Sequence, residues 1–81
     1  MPTFTTEQII EYNKSVESVS LIIDMSNATN EGNLTVSGST DSGWIPLDIF
    51  TTTGAEEYFV KGRTLKFTPT GGVAYDVPIR E

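Results

Sequence analysis

The sequence predicts an all-β protein: a small antiparallel β-sandwich of about six strands, with a closed barrel as the alternative. Three observations carry this. Apolar residues alternate with polar ones at a period of two from Val16 onward. Clusters of Gly, Pro, Asn, Asp and Ser interrupt that alternation at intervals of roughly 8–12 residues. Thr, whose branched side chain suits a pleated and half-exposed surface, is abundant throughout.

The first segment differs from the rest. Thr5-Thr6-Glu7-Gln8 has the form of a capping box, with Thr5 as N-cap and Gln8 at the third helical position. Ile9, Ile10 and Tyr12 follow, so one or two helical turns are expected over residues 6–13. A helix that short must dock on something. Residues 1–14 are therefore read as an N-terminal arm or short helix that closes one end of the domain or reaches a neighbour, and 15–81 as the β-domain.

Val19, Leu21, Ile23 and Met25 alternate with Ser18, Ser20, Ile22 and Asp24, giving the first long strand. A polar turn ending in Asn30-Glu31-Gly32 leads to Leu34 and Val36, and the two strands are expected to form a hairpin. Gly38 to Gly43 is a second turn. In the run Trp44-Ile45-Pro46-Leu47-Asp48-Ile49, the residues Ile45, Leu47 and Ile49 share a face. Pro46 cannot donate to a ladder, which places this strand at an edge or at a bulge. Tyr58 and Val60, then Leu65 and Phe67, mark two more strands around Lys61-Gly62-Arg63. After the turn Pro69-Thr70-Gly71-Gly72, expected to be a hairpin, Val73, Tyr75, Val77 and Ile79 alternate in the last strand.

Composition narrows the function. With 81 residues there is one domain and one core. A domain of this size buries about 60% of its unfolded surface and commonly gains stability from partner subunits. The chain has no His and no Cys, which removes the most frequent general base, the most frequent metal ligand and the best nucleophile. The Asp and Glu residues are scattered, and Glu56-Glu57, the one adjacent pair, would point to opposite faces of a strand. Asp41-Ser42-Gly43 offers one carboxylate where calcium needs several oxygens. Neither catalysis, nor a metal, nor a cofactor is expected. The net charge of −6 disfavours nucleic acid as the partner. No apolar run is long enough to span a bilayer, and the N-terminus lacks the pattern of a secretion signal. Lys61, Arg63 and Lys66 form a local basic spot suited to a solvated turn or to pairing with an acidic patch on a neighbouring subunit.

The residues most informative about binding are apolar ones out of phase with the core. If Ile45, Leu47 and Ile49 face inward, Trp44 and Phe50 face outward. If Tyr58 and Val60 face inward, Phe59 faces outward, and Ile22 lies on the polar face of its strand. With Phe4, Ile9, Ile10 and Tyr12 of the N-terminal arm, the candidate contact residues are Phe4, Ile9, Ile10, Tyr12, Trp44, Phe50 and Phe59. The competing reading is a sugar-binding platform on Trp44, with Ser39, Thr40, Asp41 and Ser42 as polar donors.

The stretch Leu34-Thr-Val-Ser-Gly-Ser-Thr-Asp-Ser-Gly-Trp-Ile-Pro-Leu47, followed by Leu65-Lys-Phe-Thr-Pro-Thr-Gly-Gly-Val-Ala-Tyr75, resembles small bacteriophage virion structural proteins. In those, a strand enters a Ser-x-Asp-x-Gly-Trp turn and a late strand ends in a Pro-x-Gly-Gly hairpin. The resemblance covers residues 16–80 and implies a capsid decoration or cement protein. Such a protein is made in the host cytoplasm and built into the virion. Its implied partners are itself, as a dimer or trimer, and a major capsid or other virion protein. The alternative it leaves open is a carbohydrate-binding or host-recognition module of a tail or head fibre.

Overall fold

Alternation becomes two packed layers in the computed structural model, which describes residues 3–29 and 31–78. Eight strands occur in the described residues: β1 (Thr3–Phe4), β2 (Gln8–Glu11), β3 (Ser18–Asp24), β4 (Asn33–Thr40), β5 (Gly43–Phe50), β6 (Gly54–Phe59), β7 (Thr64–Thr70) and β8 (Ala74–Asp76). They form two four-stranded antiparallel sheets, ordered β1-β8-β3-β6 and β2-β7-β4-β5. The arrangement is an open sandwich, and neither sheet closes into a barrel. The all-β expectation holds, and the barrel alternative falls away.

The chain changes sheet at every connection except β4 to β5. The expected hairpin of Leu21 and Leu34 strands is therefore corrected. β3 pairs with β6 and β8, whereas β4 pairs with β5 and β7. Likewise the Pro69–Gly72 segment is not a hairpin turn, because it carries the chain from β7 in one sheet to β8 in the other. Gly71 and Gly72 do sit at φ 65° and 85°, a conformation that side chains disfavour. The turn chemistry was readable; which sheet receives the next strand was not.

The N-terminal helix is also corrected. Residues 8–11 form β2, and there is no helix among the described residues. β1 pairs with β8 and β2 pairs with β7, so residues 3–11 supply an edge strand to each sheet. Ile10 pairs opposite Leu65 and shares its inward face. A one-turn helix has no stability of its own, whereas the free edges of β7 and β8 offer backbone hydrogen bonds to any extended segment.

Between the sheets lies one apolar core. Leu21 and Ile23 of β3, Leu34 and Val36 of β4, Leu65 and Phe67 of β7, Val73, Tyr75 and Val77 are fully buried. Tyr75 stacks on Phe67 with ring centroids 5.6 Å apart and meets Phe4 at the same separation. Its hydroxyl donates to the Thr6 carbonyl at 2.9 Å, tying β8 to the N-terminal segment. Tyr12 lies in the same core and donates to the Pro78 carbonyl at 2.6 Å. No buried side-chain polar atom among the described residues lacks a partner. The expected position of Ile79 in the last strand lies outside the described residues, as does Asn30 of the first turn.

Candidate binding surface on strand β5

β5 is the edge of its sheet, as Pro46 predicts. Its pairing with β4 also slips. Val36 opposes Asp48 and Ser37 opposes Pro46, so Leu47 is an extra residue with no opposite number. That is a β-bulge, and it inverts the facing of the strand on its two sides. Beyond the bulge, Phe50 shares the inward face with Leu34, packs against the core and meets Tyr58 edge-on at 6.2 Å.

Of the two orientations open to this strand, the one in which Ile45, Leu47 and Ile49 face the core is therefore overturned. All three are solvent-exposed, Leu47 by 50% and Ile49 by 61%. Ile49 pairs with Thr35 and Trp44 with Ser39, on the outer face of the sheet. Ile45 pairs with Gly38 on the inward face and is still 47% exposed. Leu47 leans over Gly38, where a Cβ would meet its Cδ1 at 3.1 Å. Glycine at 38 leaves the room for that side chain.

The other sequence-derived candidates divide in two. Ile10 and Tyr12 are core residues and are corrected from contact candidates to packing residues, while Phe4 and Phe50 are half-buried and pack against the core on one side. Ile9, Trp44 and Phe59 are exposed. Phe59 is 65% exposed at the free edge of β6, beside buried Tyr58 and Val60, as the alternation predicts. Ile22 is exposed on the outer face of the first sheet, opposite Ala55. The structure thus adds Ile45, Leu47 and Ile49 to the surface. One signal was available in the sequence: from Trp44 to Phe50 apolar residues occupy both parities, which a strand with one buried face does not require.

Two recesses mark the open side of the sandwich, where the edge strands β5 and β6 face one another. One, of about 330 Å³, is lined by Ile45, Leu47, Gly38, Val60, Phe59, Lys61 and Arg63. The next, of about 300 Å³, is lined by Asp48, Phe50, Glu56, Glu57, Tyr58 and Phe59. Phe59 belongs to both. β5 and β6 run in opposite directions along this seam, since Phe50 and Asp48 meet Tyr58 while Ile45 lies towards Lys61. Electrostatically the seam is polarised, with carboxylates at one end and Lys61 and Arg63 at the other. The Tyr58 hydroxyl donates to Asp48 Oδ2 at 2.8 Å. Burial, then this hydrogen bond and the Asp48 charge, push the Tyr58 phenol well above the ordinary tyrosine value.

On the outer face of the second sheet, the Lys66 ammonium sits 4.7 Å from the centroid of the Trp44 indole. It comes from β7 and crosses β4 to reach β5, with buried Ser37 between. Thr40 accepts from the Ser42 amide and donates to the Gly43 carbonyl, so its hydroxyl serves the β4–β5 turn. Among the described residues no group of Asp and Glu side chains is arranged to hold a metal ion.

This geometry defines an all-β sandwich with an apolar edge strand. Comparison with family models, with curated proteins and with solved structures finds no match to the chain.

Proposed function

We propose that this protein is a non-enzymatic assembly module that binds other protein chains, itself included, through β5 and the adjoining edge of β6. One observation carries the reading: Ile45, Leu47 and Phe59 are exposed and line one recess, and Trp44 and Ile49 are exposed on the outer face of the same strand β5. Single exposed apolar residues are routine, but a contiguous set marks a contact surface. An aromatic anchor flanked by aliphatics and rimmed by charge is the composition of a protein–protein hot spot. The resemblance to phage virion proteins supports a lattice of coat protein as the larger partner. Against a sugar platform stands the Lys66 ammonium over the Trp44 ring, together with the internal engagement of Thr40.

Light scattering coupled to size exclusion tests the reading. The wild type is expected to elute as a dimer or trimer, and Leu47→Asp or Ile49→Asp to shift it towards the 8.9 kDa monomer without loss of fold. A wild type that stays monomeric at every concentration overturns self-assembly. A change of Trp fluorescence on adding glycans would favour the sugar-binding alternative.

A further inference from the structure

We infer that two copies of this chain pair about a two-fold axis through the β5–β6 seam, the acidic end of each seam seated on the basic end of the other. The inference rests on the assembly reading above and gives that surface its geometry.

A two-fold interface is self-complementary: whatever lies at distance d from the axis on one copy meets what lies at distance d on the opposite side of the other. A seam suits this only if its two ends attract each other and its centre tolerates contact with itself. Both conditions are met. Glu56, Glu57 and Asp48 line one recess, and Lys61 and Arg63 line the next. Phe59, shared by the two recesses, and Leu47, beside Lys61 and Arg63 in the second, are apolar and exposed. Antiparallel placement of two seams sets carboxylates against cations twice, with apolar side chains meeting at the axis. Parallel placement sets like charge against like and is excluded by the same polarity.

The edge strands also show what kind of contact this is. Open-ended pairing of backbones would need a flat, regular edge. β5 carries Pro46 and the Leu47 bulge, and Glu56 of β6 shares the inward-facing register of Leu21. Both devices block strand addition. Side chains, not a continued ladder, make the contact, so it closes at two copies.

Reciprocal charge reversal provides the test. One variant carries Glu56→Lys and Glu57→Lys; the other carries Lys61→Glu and Arg63→Glu. All four positions are exposed, and circular dichroism checks that each variant folds. Sedimentation equilibrium at low salt is expected to show each variant losing about tenfold or more in self-affinity, because both contacts become repulsive. An equimolar mixture is expected to recover dimers, since both contacts are then complementary. Zero-length carboxylate–amine cross-linking of mixed isotope-labelled and unlabelled wild type should join Glu56 or Glu57 of one copy to Lys61 of another. If the wild type self-associates and neither reversal weakens it, the two-fold seam is wrong and the assembly reading stands. If the wild type is monomeric throughout, the assembly reading fails and the seam with it.

Discussion

The Tyr58 hydroxyl on β6 donates to the Asp48 carboxylate on β5 at 2.8 Å, joining the edge strands of the two separate sheets. The Leu47 bulge makes this possible. Without the extra residue, Asp48 would fall on the outer face of its sheet and could not meet a side chain arising from the other layer.

Tyr58→Phe is expected to lower stability by about 1 kcal/mol, the usual net value of one hydrogen bond. Asp48 is exposed, so water solvates the orphaned carboxylate and limits the loss. Urea denaturation monitored by far-ultraviolet dichroism measures it, with the midpoint falling at constant slope.

Alkaline pH is expected to destabilise the protein through its buried phenols. Burial raises Tyr58 and Tyr75 above the ordinary tyrosine value of 10.0, with the neighbouring Asp48 charge adding to the first and the Glu7 charge to the second. Above that value the unfolded chain releases these protons while the folded chain keeps them. The folded state then binds more protons, so stability falls as pH rises and is fully present below pH 10. Phenolate absorbance should show these two tyrosines titrating only as the protein unfolds.

Removal of residues 1–11 is expected to unfold the chain. It strips an edge strand from each sheet, takes Ile10 out of the core and leaves the Tyr75 hydroxyl without the Thr6 carbonyl. A dispensable arm would instead leave a dispersed amide spectrum, which two-dimensional NMR distinguishes. The milder Ile10→Ala should cost about 2–5 kcal/mol, the range for truncating a buried aliphatic.

Trp44→Ala and Phe67→Ala are expected to separate surface from core. Trp44 is 38% exposed and its cation–π contact with Lys66 is worth about 0.5–1 kcal/mol at such a site, so the fold persists. Phe67 is fully buried against Tyr75, and its loss should cost about 3–5 kcal/mol. Thermal melts of the two variants decide the assignment.

How much of this was readable in advance depends on the range of the interaction. The alternation of Val19, Leu21 and Ile23 with Ser18, Ser20 and Ile22 marked β3 and its faces correctly, because side-chain direction along a strand is a local property. The same holds for Phe59 outward beside Tyr58 and Val60. Pro46 likewise announced an edge, since a missing N–H is a fact of one residue.

What failed were assignments that depend on distant partners. Gln8–Glu11 became a strand because β7 needed a neighbour, with Ile10 opposite Leu65, 55 residues away. Ile45, Leu47 and Ile49 carry a core pattern but lie exposed, because β5 has a sheet on one side only and a bulge in its middle. By itself, then, the sequence determined an all-β chain, most strand positions, the faces of the central strands and the poverty of catalytic side chains. Only the tertiary structure decided which sheet each strand joins and which apolar residues are left facing water. Alternation is written residue by residue, whereas burial is settled by whatever the rest of the chain places opposite.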